Sequence, residues 1–314
     1  MEQLKQQLRA EGIAYRENEP LAAHCTFKIG GPADVFAQPE TEEQLCRTIA
    51  LCRECGVKYY LLGNGSNILF EDTGYRGVVI DTTALKMGIG ILENVCHPGA
   101  APGEVYDAVA AGAGLKLSAL CAGALENGLT GLEFAYGIPG SCGGAVCMNA
   151  GAYGGDMASV VAEVAVYDSE KDRICRLDAS EMRFAYRKSI VGNGERYTVL
   201  SVTFELECGD KNTITEKMTE LMKRRAEKQP LNFPSAGSAF KRPAPDKYVG
   251  KMIEDSGLKG YSVGGAQVSE KHAGFVVNRG GATCADVLEL VRQVQARVQE
   301  QTGGALEMEV KVLR

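Results

Sequence analysis

The sequence predicts an α+β protein of two or three compact units. Three observations carry this. The chain has 314 residues, more than one average domain. Helical and strand periodicities alternate along it, with a polar break between groups. Its 38 glycines are clustered rather than spread. They make up about 12% of the chain against a usual value of about 7%, and clustered glycines mark places where backbone approaches something closely.

The elements follow in order. Met1–Ala10, MEQLKQQLRA, is polar and helical in pattern. Thr41-Glu42-Glu43-Gln44 reads as a capping box, followed by Leu45, Ile49 and Cys52 at helical spacing and by Gly56 as the stop. A β-rich run, Val57 to Leu62, ends in Gly63-Asn64-Gly65-Ser66-Asn67, and a short strand follows at Val78–Asp81. The middle unit opens with an expected helix from Pro102 to Ala113, with Val105, Val109 and Gly112-Ala113 on one face. A stretch of small residues runs from Gly123 to Gly155. Strands are expected at Val164–Asp168 and Tyr197–Leu206, the second alternating cleanly. Gly209-Asp210-Lys211-Asn212 reads as a boundary. Beyond it a helix is expected over about Thr215–Lys228, with Met218, Leu221 and Met222 inward and a basic end of Lys223, Arg224, Arg225 and Lys228. A further helix, about Cys284–Gln301, stripes Val287, Val291, Val294 and Val298 and stops at Gly303. The chain closes with an alternating strand, Leu306–Leu313. No internal repeat is visible.

Composition excludes several classes. The 34 basic and 40 acidic residues give a net charge of −6, which offers no general attraction to nucleic acid or an anionic membrane. Neither partner is expected. The 11 cysteines are scattered and only Cys52 and Cys55 form a C-x-x-C, with no second pair or histidine cluster, so no metal site is expected. There is no secretory pattern at the start and no run of about 18 apolar residues. The expected setting is a reducing cytoplasm with free thiols.

Two glycine segments carry the chemistry. In LLGNGSNIL a strand runs into a turn whose successive N–H groups can converge on an anion such as a phosphate. It lacks the third glycine of the dinucleotide fingerprint, since Ile68 stands there, and no Gly-Lys-Ser/Thr follows. A plain tight hairpin is the competing reading. The second segment runs from Gly131 to Val146, with Pro139 fixing one φ between Gly137 and Gly140, and it stays small through Gly154. A loop of this length is usually functional or disordered, and Leu132, Phe134, Ile138 and Val146 argue against disorder. Two such loops in separate units suggest one long ligand, such as a dinucleotide, between them.

LLGNGSNIL, GLEFAYGIPGSCGGAVCMNAGAYG, FAYRKS, PSAGSAFKRP, SEKHAGFVVN and LEMEVKVL occur in that order. Together they resemble the UDP-N-acetylenolpyruvoylglucosamine reductases, flavoenzymes of bacterial peptidoglycan precursor synthesis. The resemblance runs from about Thr26 to the C-terminus. It implies an FAD-binding fold of the vanillyl-alcohol-oxidase type in two parts, residues 1–80 joined by a terminal strand at 304–314, and residues 81–208. A C-terminal α+β substrate-binding domain, residues 209–303, completes it. The short polar connection after Leu206 resembles the shorter subtype, which lacks a tyrosine-bearing loop; Tyr153 or Tyr248 is then the candidate aromatic over the substrate. FAD bound noncovalently, NADPH, UDP-N-acetylglucosamine enolpyruvate and a monomeric state are the implied cofactors, substrate and assembly.

The implied reaction passes a hydride from NADPH through FAD to C3 of the enol ether, and C2 receives a proton. Negative charge develops beside a carboxylate, so the site needs a cation or hydrogen-bond donor there and an acid at C2. Arg187 matches the family's catalytic arginine, whose guanidinium can bind both carboxylate oxygens. Ser238 matches its proton donor, with Ser235 as the local competitor and Gly237 leaving it exposed. Glu309 matches the third catalytic residue; in an alternating strand Glu307 would face the same side, so geometry alone leaves both open. Lys228 matches a lysine on the UDP phosphates, and His272 sits at a substrate-side position, with a structural hydrogen bonder as the competing reading. The expected cofactor residues are Gly63, Asn64, Gly65, Ser66, Asn67, Gly131, Pro139, Gly140, Ser141, Gly143, Gly144, Ala145, Asn149 and Gly151. A flavin oxidase and a non-catalytic nucleotide sensor are the competing functions.

Overall fold

A computed structural model describes residues 1–95, 106–192, 194–244 and 247–314. Its α-helices are α1 (Glu2–Ala10), α2 (Glu42–Glu54), α3 (Leu117–Glu126), α4 (Cys142–Cys147), α5 (Lys211–Lys228), α6 (Val249–Asp255) and α7 (Cys284–Thr302). The chain divides into two compact units. The first holds Met1–Arg16, Phe36–Asn64 and Gly77–Lys223; the second holds Glu17–Val35, Gly65–Arg76 and Arg224–Arg314. One four-stranded sheet has the order Ala14–Pro20, Pro32–Gln38, Tyr75–Asp81, Tyr59–Leu62, its last two strands parallel.

α2 forms where expected. Thr41 accepts from the Gln44 N–H, and Gln44 returns its side chain to the N–H of Glu40, one residue before the cap. Gly56 ends it at φ +61°, a conformation that costs glycine nothing.

The larger sheet of the first unit is antiparallel, in the order Arg173–Asp178, Val161–Asp168, Tyr197–Cys208, Tyr106–Gly112, Ile89–Val95. Leu129–Thr130 pairs with the far end of Tyr197–Cys208. The helix expected over Pro102–Ala113 is corrected here: Tyr106–Gly112 is a strand, and Pro102–Val105 lies outside the described residues. Ala108, Val109, Ala111 and Ala113 are all buried, and Val109 pairs with Phe204. Burial between two neighbouring strands overrides the helical preference of an alanine-rich run.

The glycine-rich stretch is also corrected. It is not one long loop but contains the end of α3, a 3₁₀ turn at Glu133–Ala135 and α4. Cys142, Ala145 and Val146 on α4, with Leu117, Leu120 and Cys121 on α3, join Val164, Val202 and Phe204 of the sheet in one core. Burial pushes the Cys142 thiol up to about 12, so it is an inert apolar filler. All ten cysteines among the described residues are free thiols. On α5, Ile214 and Met218 are buried, but Met222, expected inward, is 41% exposed.

In the second unit an antiparallel sheet runs Ser235–Ser238, Phe275–Asn278, Ala266–Val268, Ser262–Val263. α7 packs beside its last two strands. Thr283 and Asp286 close a reciprocal capping box, and Gly303 ends α7 at φ +67°. The Asp72 carboxylate adds two bonds at this helix start, to the N–H groups of Cys284 at 2.7 Å and Ala285 at 3.1 Å, where the helix dipole favours an anion. The terminal strand is shorter than expected. Only Lys311–Leu313 is regular, parallel to Ile68–Phe70, while Met308 makes a single bridge with Phe240. The segment changes partner between these points, which breaks the alternation.

Candidate active site

In the first unit Gly63 and Asn64, the start of the first glycine segment, meet the second segment. The Asn64 side chain donates to the Pro139 carbonyl at 2.6 Å. Ser141 caps α4, its Oγ accepting from the Gly144 N–H at 3.3 Å. A Cβ at Gly63 would lie 2.4 Å from Ser141 Oγ and so push that hydroxyl off its cap. Several donors of the second segment are already engaged. The N–H groups of Gly140, Gly143 and Ala145 bond to the carbonyls of Ile138, Ala113 and Ser141. Gly131 donates to the buried Glu133 carboxylate, which also accepts from Thr130 and Lys217. Burial opposes charge on Glu133, but the Thr130 hydroxyl and these neighbours together hold its pKa below the usual value. Gly151 pairs with Asp156 in a tight hairpin. The first segment differs. Among the described residues no acceptor takes the N–H groups of Asn64, Gly65 or Ser66. A turn with three open amides fits an anion such as a pyrophosphate. Within the first unit Gly144 is exposed, with only Ser141 Oγ within 4 Å of where its Cβ would stand.

Arg187 sits in a two-residue turn closed by reciprocal bonds between Ala185 and Lys188, each at 3.0 Å. Its φ is +58°, a left-handed conformation uncommon for a residue with a Cβ. Its guanidinium lies 5.0 Å from the Tyr186 ring centroid. Asn149, expected to touch the cofactor, is 5% exposed and turns its side chain inward, to Ala185, Asp156 and Ala158. Ser189 donates to the Cys147 carbonyl. Sequence reasoning had assigned Ser189 no role; its place in FAYRKS was the one available signal.

In the second unit Ser238 ends the strand Ser235–Ser238. Four residues there oppose three on the partner, since Ser235 faces Val277 and Ser238 faces Phe275. The extra residue is absorbed at Gly237, φ +78°, with nothing within 4 Å of a Cβ. Such a bulge re-aims the side chain that follows it. Ser238 Oγ donates to the Phe240 carbonyl at 3.1 Å and lies 3.5 Å from that of Gly274. Ser235 instead carries the Thr26 hydroxyl on its carbonyl.

Glu309 is the neighbour of this strand. Its N–H donates to the Ala239 carbonyl at 2.9 Å, and its own carbonyl accepts from Asn67 Nδ2 at 3.3 Å. Glu307 points elsewhere: it is exposed and paired with Lys241. The two residues alternation left equivalent thus differ in what is seen of them: Glu307 has its carboxylate on Lys241, and Glu309 has its backbone on Ala239 and Asn67.

His272 accepts from the Gly274 N–H at Nδ1, 3.1 Å, and meets Phe275 edge-on. Burial lowers its pKa, and the charges of Lys259 and Lys228 lower it further. A neutral ring whose Nδ1 is an acceptor carries its proton on Nε2. Lys228 is the exposed last residue of α5. Just beyond it lies a cavity of about 460 Å³ lined by Pro230, Phe233, Gln267, Lys271 and Arg279 among others, with the Arg279 guanidinium 4.3 Å over the Phe233 ring. Among the described residues no cluster of metal-ligating side chains occurs, and no helix is long and apolar enough to cross a membrane.

Comparison with known proteins adds the following. Residues 229–313 match the family described as UDP-N-acetylenolpyruvoylglucosamine reductase, C-terminal domain, and residues 33–178 match the FAD binding domain. The first match contains Ser238, His272 and Glu309, the second contains both glycine segments, and Arg187 lies between them. A UDP-N-acetylenolpyruvoylglucosamine reductase of Caldanaerobacter subterraneus subsp. tengcongensis is 47% identical over 313 residues, 100% of this chain and 97% of that protein. One of Clostridium perfringens is 47% identical over 94% of this chain and 92% of its own length. The crystal structure of UDP-N-acetylenolpyruvylglucosamine reductase from Thermus caldophilus superposes with a TM-score of 0.75 at 35% identity, covering 96% of this chain and 99% of that one.

Proposed function

The chain belongs to the UDP-N-acetylenolpyruvoylglucosamine reductase family, and from that premise we infer its reaction and the residues that perform it. It is an FAD-dependent oxidoreductase that reduces UDP-N-acetylglucosamine enolpyruvate to UDP-N-acetylmuramate at the expense of NADPH, in peptidoglycan precursor synthesis. The observation that carries this is identity of 47% running the full length of the chain. On the same reading, residues 1–80 with 304–314 and residues 81–208 form the FAD-binding parts, and residues 209–303 the substrate-binding domain. The enzyme works as a cytoplasmic monomer.

Bound FAD, reduced by NADPH, supplies the hydride that reaches C3 of the enol ether. The open amides of Asn64, Gly65 and Ser66 would hold its pyrophosphate. Arg187 binds the substrate carboxylate through two parallel N–H bonds and so stabilises the charge that develops beside it. Ser238 gives its proton to C2. Its hydroxyl must leave the Phe240 carbonyl to do so, and that neutral bond is a weak competitor. Glu309 stands one strand away as the third catalytic residue. Lys228 holds the UDP phosphates. His272, whose Nδ1 is committed to Gly274, offers Nε2–H on the substrate side.

The test is NADPH oxidation with and without the enolpyruvyl substrate, under nitrogen. Oxidation that requires the substrate is the expected result. Oxidation that requires oxygen instead would favour a flavin oxidase, and a protein that stays colourless with added FAD would end both readings.

A further inference from the structure

The turn that carries Arg187 is gripped at both ends by one short piece of chain. Asn149 lies two residues beyond α4 and has φ +40°. Its Nδ2 donates to the Ala185 carbonyl at 3.2 Å and to Asp156 Oδ2 at 3.4 Å, while Oδ1 accepts from the Ala158 N–H at 2.9 Å. Both amide hydrogens and the oxygen are therefore used inside the protein, which leaves this side chain little to offer a ligand. The Ala185 carbonyl also accepts the Lys188 N–H that closes the turn, so both its lone pairs are taken. On the other side Ser189 Oγ donates to the Cys147 carbonyl at 3.1 Å. Ala185 and Ser189 stand two residues before and two residues after Arg187. Cys147 and Asn149 anchor both.

A non-glycine residue keeps a left-handed backbone only where its surroundings over-determine it. Arg187 is in that state at φ +58°, and the side chains of Asn149 and Ser189 both tie its turn to the chain at and just beyond the end of α4. Released at either end, the turn can relax toward an ordinary conformation, and a guanidinium at the tip of a long side chain then moves furthest. We propose that Asn149, with Ser189, is a positioning residue for Arg187: the pair clamps the turn so that the guanidinium meets the substrate carboxylate in register. The proposal rests on the assignment of Arg187 to that carboxylate.

The experiment is a double-mutant cycle on the FAD-loaded enzyme. Asn149→Asp keeps the size of the side chain and its acceptor for Ala158, but turns a lone pair toward the Ala185 carbonyl. Flavin is reduced with NADPH and reoxidised by UDP-N-acetylglucosamine enolpyruvate in an anaerobic stopped-flow, with rates taken per bound flavin. Asn149→Asp should slow reoxidation by roughly ten- to a hundredfold, the scale for misplacing a reacting group by about 1 Å. Flavin reduction by NADPH should slow far less, because it does not involve the substrate carboxylate; general damage would slow both alike and overturn the proposal. In an Arg187→Ala background, adding Asn149→Asp should change reoxidation by less than about twofold, since non-additivity marks residues acting through one another. Effects that multiply would show Asn149 acting independently of Arg187 and overturn the clamp. Reoxidation of the Arg187→Ala enzyme at the wild-type rate would remove the underlying assignment, and the clamp with it. Should Asn149→Asp not retain FAD, the same cycle with Ser189→Ala, which deletes one half-buried hydrogen bond, decides by the same criteria.

Discussion

Ser238→Ala should cost this enzyme little stability and most of one half-reaction. The structure sets the first magnitude. The hydroxyl donates to the Phe240 carbonyl at 3.1 Å and reaches the Gly274 carbonyl only at 3.5 Å. Gly274 keeps the Ala239 N–H at 2.8 Å whatever stands at position 238, so the alanine deprives only the Phe240 carbonyl of this donor. One neutral hydrogen bond contributes about 0.5–1.5 kcal/mol. The bulge geometry comes from Gly237 and does not change. The second magnitude is kinetic. General acid catalysis is worth about 10² to 10⁴-fold, or roughly 3–5 kcal/mol in the barrier. The barrier should therefore rise several times more than stability falls. Anaerobic stopped-flow at the flavin band separates the phases: reduction by NADPH near the wild-type rate, then reoxidation by the enolpyruvyl substrate slowed at least a hundredfold. Reoxidation at the wild-type rate would refute the argument and make Ser238 a turn serine. Glu309, hydrogen-bonded to the adjacent Ala239, would then be the next proton donor to test.

Lys228→Ala should raise KM with kcat changed less, because a phosphate contact remote from the double bond acts equally on ground and transition states; steady-state kinetics that show a collapsed kcat at constant KM would remove it from binding. FAD should be noncovalent, and acid or heat denaturation should send all yellow colour into the supernatant; colour retained by the precipitate would contradict this. Asp168, 1% exposed and held by Arg196 at 3.2 and 2.9 Å, has its carboxyl lowered by that guanidinium to about 2. A depressed carboxyl contributes stability that is present above its unfolded value near pH 4 and lost as pH falls toward about 2. Thermal melts of Asp168→Asn against pH should therefore lose slope in that acid window, and an unchanged slope would show that another group governs it.

Much of the architecture was legible from local pattern. Thr41 to Gly56 announced α2 by cap, stripe and stop, and the valine stripe from Val287 to Val298 announced α7. These signals are local because a helix satisfies its own backbone, so its ends and buried face are written within a few residues of each other. Tyr106–Gly112 was not legible in that way. An alanine-rich run suits a helix unless neighbouring strands claim its hydrogen bonds, and here Ile89–Val95 and Tyr197–Cys208 do so from both sides.

By itself, then, the sequence determined the family, through six motifs in order, and with it the residue types that the chemistry requires. It also determined the helices whose periodicity is strong. Only the tertiary structure decided which of the candidate side chains are committed and to what. Glu307 goes to Lys241 while Glu309 lies beside Ala239. His272 turns Nδ1 to a backbone N–H. Asn149 bonds through its side chain to Asp156, Ala158 and Ala185, the last 36 residues on. Arg187 adopts a left-handed backbone that no local signal asks of an arginine. The partners of Glu307, Glu309 and Asn149 are brought close by folding and not by sequence spacing, and a periodicity carries no record of such a partner.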